Sequence, residues 1–129
     1  MRLLLDSNIV VPIASRERVR LGAQVNLLLN TGTNDIYVSA ASLWEIAIKT
    51  RLGKLPLMAP LTQLPITLSA LGYAILDIDR HHAIEELFDQ PATNDPFDRM
   101  LLAQCQVEGM RLVTADRALM RHPLAWRPA

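Results

Sequence analysis

The chain is poor in several things, and each shortage removes a class of function. Cys105 is the single cysteine among 129 residues. No internal disulfide can form, and a reducing compartment fits such cysteine usage. Cys105 lies in an apolar helical pattern and reads as a small core residue. No His/Cys cluster suggests zinc. Aromatic residues make up only 5%, so the core must be built from Leu, Ile, Val, Ala and Met. Neither sign of charge is in excess: thirteen basic side chains balance thirteen acidic ones. A surface without net positive charge argues against strong nonspecific attraction to nucleic acid, although a local basic rim is still allowed. No apolar run approaches the roughly 20 residues of a membrane span. The opening Met1-Arg2-Leu3-Leu4-Leu5-Asp6 meets charge too early for a signal peptide, so the cytoplasm is expected. There is no glycine-rich phosphate loop, and no serine or cysteine has a recognisable nucleophile context.

What the chain does have is apolar residues, half of the total, with charged residues at 20%. That is a globular composition, and the length fits one domain over residues 1–129. Arg2 to Leu5 reads as a fully buried strand. A helix is expected from Asn8 to Ala14, with Pro12 tolerated only near its start, and another over Val19 to Leu29. Ile36 to Val38 is the second strand. Ser42-Leu43-Trp44-Glu45 then matches a capping box, opening a helix that runs to about Leu52. A short helix around Ile66 to Leu71 precedes a third strand over Tyr73 to Ile78. Asp79 caps a helix over Arg80 to Phe88, and Asp89 to Asn94 is loop. Asp95-Pro96 is a strong helix start, and Gly109 ends that helix. Arg111 to Thr114 is the fourth strand, Asp116 caps a short helix, and Leu124 to Trp126 adds a terminal strand. Such alternation predicts an α/β fold with a mainly parallel sheet covered on both faces.

Four acids stand at strand ends or helix starts: Asp6, Glu45, Asp98 and Asp116. Each has a plain structural explanation. Asp6 and Asp116 suit helix caps, Glu45 suits the capping-box partner of Ser42, and Asp98 suits a first-turn acid favoured by the helix dipole. Together they suggest more. In an open α/β sheet these positions gather at the carboxyl edge of the strands, where ligands bind. Clustered carboxylates repel one another unless a cation intervenes. Mg²⁺ or Mn²⁺ takes oxygen ligands and keeps several waters, so two or three carboxylates suffice for each ion.

Other polar residues have simpler readings. His81 and His82 are adjacent, so their rings diverge on a helix, and both read as solvated surface. His122 falls in a loop before Pro123. Lys49 lies one turn from Glu45 and reads as its i,i+4 partner. Arg99 and Arg117 each adjoin one of the acids and are candidate phosphate contacts. Trp44 and Trp126 read as packing residues, with a partner surface as the alternative.

At these acids the chain resembles a PIN-domain protein, and more narrowly a VapC-type toxin ribonuclease of a type II toxin–antitoxin pair. Leu3-Leu4-Leu5-Asp6-Ser7-Asn8 resembles the opening strand and first acid. The segment from Val38 to Lys49 resembles the helix carrying the second, and Leu52-Gly53-Lys54-Leu55 continues the match. Asp95-Pro96-Phe97-Asp98-Arg99-Met100-Leu101 resembles the third motif and Leu112-Val113-Thr114-Ala115-Asp116 the fourth. The motifs span nearly the whole chain in order. Ser7 replaces the more usual threonine, and Pro91-Ala92-Thr93-Asn94 stands where relatives often carry His or Arg. The resemblance implies a three-layer α/β/α fold with four or five strands, and RNA hydrolysis by a metal-activated water with one or two Mg²⁺ or Mn²⁺ ions. It also implies a homodimer and a cognate antitoxin. It makes Asp6, Glu45, Asp98 and Asp116 the catalytic acids, with Asp6 and Asp98 as direct metal ligands and Asp116 ligating directly or through water. Glu45 positions a water or completes the ligand set, Asn8 and Thr114 support the ligands, and Asp95 orients Asp98.

Two other readings compete. A strand ending in Asp6-Ser7-Asn8 is similar to the nucleophile motif of haloacid-dehalogenase-like phosphatases, with Ser39 imitating their second motif, but Asn8 stands where that family has an acid. A receiver-like or degenerate domain that only binds a partner is the non-enzymatic alternative.

Overall fold

The structure is a computed structural model that describes residues 1–57 and 59–128. At its centre lies β1 (Arg2–Leu5), in which Leu3, Leu4 and Leu5 are wholly buried. A strand with neighbours at both edges and helices over both faces has no solvent side, which is why it reads as a continuous apolar run. One edge of β1 pairs with β2 (Asp35–Ser39) and the other with β4 (Arg111–Val113), while β3 (Ala74–Leu76) lies outside β2. All of these pairings are parallel, in the order β3-β2-β1-β4. The helices are α1 (Ser7–Ala14), α2 (Ala23–Asn30), α3 (Ala40–Arg51), α4 (Leu64–Ala70), α5 (Arg80–Ile84), α6 (Pro96–Glu108) and α7 (Arg117–Met120). No helix among the described residues is long and apolar enough to cross a membrane.

The two-residue period of a strand sends alternate side chains to opposite faces. Leu3 and Leu5 therefore meet Ile9, Ile13, Leu28 and Leu68 on one side, whereas Leu4 meets Leu101, Leu102, Cys105 and Leu119 on the other. The result is the expected α/β/α sandwich. Cys105 is buried as expected, and that burial pushes its thiol up to about 12.

Register positions the functional edge. Leu5 lies opposite both Val38 and Val113, so β1 and β4 end level and β2 runs one residue further, to Ser39. The next residues, Asp6, Ser39 and Thr114, come out at one rim. Because β2 and β4 lie on opposite sides of β1, this rim sits at the topological switch point of the sheet, the usual ligand crevice of such folds.

Several elements differ from expectation. Ser39, not Ser42, caps α3: its hydroxyl accepts from Ala41 N–H at 3.0 Å, while Ser42 sits inside the helix, within 3.5 Å of the Leu5 carbonyl. Pro12 lies in the second turn of α1 rather than the first; lacking an N–H, it leaves the Asn8 carbonyl without its helical donor. The expected Val19–Leu29 helix is divided at Gly22, whose φ of 83° follows a short 3-10 turn over Arg18–Leu21. α5 stops at Ile84 instead of Phe88, where Glu85 turns to extended backbone. Leu124 to Trp126 contributes only one parallel bridge, Leu112 with Ala125, beside β4.

Candidate active site

Each acid is presented by a helix start or by the first turns of a helix. Asp6 follows β1 and caps α1, accepting from Ser7 N–H at 2.7 Å through Oδ1. Its other oxygen, Oδ2, accepts from the Thr114 hydroxyl at 2.7 Å. The Thr114 oxygen in turn accepts from Asp116 N–H at 3.0 Å, so one hydroxyl joins two acid-bearing segments. Asp116 caps α7, accepting from Ala118 N–H at 2.9 Å. Asn8 Oδ1 accepts from Ala115 N–H at 3.1 Å and closes α1 onto the turn after β4.

Ser7 makes the corresponding link on the other side. Its hydroxyl donates to Glu45 Oε1 at 2.8 Å, and Lys49 Nζ pairs with Glu45 Oε2 at 3.0 Å. The expected Lys49 pair is therefore present, but Glu45 does not close a capping box on Ser42. The role of Ser7 could be anticipated only from its place next to the first acid. Asp95 caps α6 as expected, accepting from Phe97 N–H at 2.8 Å and Asp98 N–H at 3.3 Å.

Asp98 comes into the same field. Burial pushes its carboxyl up to about 7, with help from the negative charges of Asp95, Asp6, Asp116 and Glu45. Asp6 is also raised, chiefly by burial and further by Glu45 and Asp116, although Thr114 and Ser7 N–H favour its anion. These groups resist full ionisation together, as expected for carboxylates crowded into one partly dry pocket. Trp44 and Phe97, which directly precede Glu45 and Asp98, meet edge to face with centroids 5.4 Å apart. That contact ties α3 to α6 beside the acids while leaving Trp44 60% exposed.

A cleft of about 250 Å³ opens next to the cluster, lined by Ser7, Asn8, Arg20, Ile46, Lys49 and Leu55. Arg99 does not face it freely, since its Nη1 donates to Gln90 Oε1 at 2.8 Å. Arg117 is exposed on α7. Ser39 is buried in its capping role, so it lends nothing to the phosphatase reading.

Two of the three histidines depart from their simple readings, while His81 is exposed as expected. His82 is buried: its Nδ1 accepts from Asp79 N–H at 3.0 Å, which leaves the proton on Nε2 to donate to Glu108 Oε2 at 2.8 Å. Asp79, His82 and Glu108 offer ligand atoms within 4.8 Å of one another, a grouping that could hold a metal. Both ring nitrogens are already engaged, however, and Glu108 ends the helix on which Asp98 lies in the first turn. The two groupings are thus about 15 Å apart along α6. His122 is likewise buried, with Nε2 2.7 Å from Asp89 O.

A parallel sheet with acids near its switch point defines the class: an α/β protein with a carboxylate cluster at the usual ligand crevice, although among the described residues only Asp79, His82 and Glu108 bring three ligand atoms within 4.8 Å of one another. Residues 3–123 match the PIN domain family, and the chain belongs to it. Among solved structures, the chain is similar to one in the crystal structure of VapBC2 from Rickettsia felis bound to a DNA fragment from their promoter. The TM-score is 0.61 at 18% identity, over 97% of this chain and 96% of that one. No curated protein matches the sequence.

Proposed function

We propose that the chain is a VapC-type toxin, a metal-dependent endoribonuclease with Asp6, Glu45, Asp98 and Asp116 as its catalytic acids. The observation that carries this reading is the convergence of these acids at the rim of β1 and β4, with Asp98 pushed up to about 7 by burial and by the other carboxylates. The donor set fits Mg²⁺ or Mn²⁺, because it is all oxygen and its excess negative charge lacks a full set of cationic partners. Such an ion would supply an activated water and offset charge building on the phosphate.

The residues divide the work. Asp6 and Asp98 are the direct ligands, and Asp116 ligates directly or through water. Thr114 and Ser7 N–H hold both oxygens of Asp6 and so fix its carboxylate plane. Glu45, held by Ser7 and Lys49, orients a water. Asn8 keeps the Asp116 turn against α1, and Asp95 sets the first turn that presents Asp98. Arg117 is the better candidate for a phosphate contact, since Arg99 is committed to Gln90. An antitoxin partner, a homodimer and a cytoplasmic location complete the reading. The likeness to a VapBC2 chain supports the antitoxin.

The test is cleavage of RNA by the purified chain, free of antitoxin, with Mg²⁺ or Mn²⁺. Cleavage should vanish in EDTA, return on adding the metal, and fall by at least about a hundredfold in Asp6→Asn and Asp98→Asn. Undiminished cleavage in both variants sinks the assignment.

A further inference from the structure

The segment between α5 and α6 is braced on every side yet holds an aromatic ring out to solvent. Gln106 on α6 donates to Glu86 O at 2.8 Å and Glu85 Oε2 at 3.0 Å, and accepts from Phe88 N–H at 3.0 Å. Gln90 donates to Leu87 O at 3.2 Å. The buried His122 accepts from Leu124 N–H at Nδ1, so its Nε2 carries the proton given to Asp89 O. Leu87 is buried in the core, while Phe88, the next residue, is 89% exposed. Scattered exposed apolar residues are ordinary. A ring on a backbone fixed by so many bonds differs, because it meets a ligand with little ordering left to do.

Beside Phe88 runs a groove of about 380 Å³, lined also by Asp89, Gln90, Ala118 and Arg121. None of the four acids lines it, but two of its lining residues connect it to them. Ala118 N–H holds the Asp116 carboxylate, and Gln90 holds Arg99, the neighbour of Asp98. On this side of the ring the charged Asp89 and Arg121 and the amide of Gln90 stand beside Pro91, Ala92 and Pro123, a mixed lining whose polar groups a wholly apolar protein contact would have to desolvate. They suit a ligand that is at once aromatic, polar-edged and anionic.

We propose that Phe88 is a stacking platform for an unpaired base of the RNA strand whose phosphate lies at the acids. Unpaired bases stack on exposed aromatic rings with little regard to sequence. Arg121 meets the strand's phosphate, and the Asp89 carboxylate accepts from an amino group on the base edge. The inference rests on the ribonuclease reading, and its test separates the two.

The probe is a 5′-labelled single-stranded oligoribonucleotide of mixed sequence, read by fluorescence anisotropy and by cleavage kinetics. Phe88→Ala should bind it about tenfold more weakly, the effect of one lost stack, and raise KM with kcat unchanged. Phe88→Trp should bind at least as tightly as the wild type, and the RNA should quench more tryptophan emission in it than in the wild type, whose own Trp44 and Trp126 set the baseline. Because the ring is exposed, circular dichroism should be unaltered in both variants. Wild-type cleavage matched by Phe88→Ala in binding and KM overturns the platform and leaves the nuclease standing. A wild-type chain that neither binds nor cleaves the oligonucleotide overturns both. A shift of Phe88→Ala from dimer to monomer on sedimentation, with RNA binding intact, overturns the platform in favour of a protein contact.

Discussion

Asp98 carries the plainest electrostatic consequence of the site. With its carboxyl raised from 3.8 to about 7, the folded, metal-free chain binds a proton that the unfolded chain has lost. Wherever the native state holds more protons, stability falls as pH rises. The metal-free protein should therefore lose stability between about pH 4 and pH 7. Discounted for solvent screening of a half-exposed carboxylate, the loss from this group is about 1–2 kcal/mol. Asp98→Asn should flatten that slope and leave the metal-free chain more stable than the wild type at pH 8, as denaturant titrations at several pH values would show. An unchanged slope would mean that the acids do not share a field.

Thr114 makes the complementary case, a neutral residue that keeps an anion in place. Thr114→Val preserves shape but removes the donor to Asp6 and the acceptor for Asp116 N–H. Loss of a hydrogen bond to a charged group costs about 1.5–3 kcal/mol. If Asp6 ligates metal as proposed, Mn²⁺ affinity should fall about 10–100-fold, the usual effect of losing a group that orients a ligand. Thermal unfolding and calorimetric Mn²⁺ titration measure the two effects. At this scale the sequence was informative: all four acids stood out because each follows a strand or enters a helix. Ser7 did not, since a serine beside an aspartate has no periodic signature. Its bond to Glu45, 38 positions away, depends on how α1 meets α3.

At the scale of elements, α6 is the most connected piece. Its first turn carries Asp98, its middle packs Leu101 and Leu102 into the core, and its last residue, Glu108, receives the proton of His82. His82→Gln removes the ring that caps α5 and reaches α6. The variant should lose about 1–3 kcal/mol in urea unfolding, with RNA cleavage per folded molecule unchanged. A parallel loss of activity would relocate the functional centre to Asp79, His82 and Glu108. The sequence could not disclose this staple. Adjacent histidines must diverge on a helix, but which one turns inward is decided by Glu108, 26 positions on. Boundaries that depend on local chemistry were legible: Asp95-Pro96 opens α6, and Gly109, at φ 70°, closes it in the left-handed region. The shortening of α5 and the interruption at Gly22 were not, because helical spacing continues through both while the backbone turns extended at Glu85 and takes a φ of 83° at Gly22.

At the scale of the whole molecule, the sheet order turns separate motifs into one site. The sequence shows strands alternating with helices and so a parallel sheet. Which strand flanks which follows from crossover connections that leave no local pattern. Placing β1 between β2 and β4 sets Asp6 at the rim next to Thr114 and within reach of Glu45. This placement sets Arg20 and Lys49 at the cleft beside the acids, in a chain whose net charge is zero. It also sharpens the choice between two metal-capable groups, one at the switch point and one at the far end of α6. Calorimetric titration of Mn²⁺ into the metal-free wild type, Asp98→Asn and His82→Gln decides between them. The switch-point centre predicts that Asp98→Asn weakens binding by more than about tenfold while His82→Gln binds like the wild type. Binding that survives in Asp98→Asn and disappears in His82→Gln would contradict it.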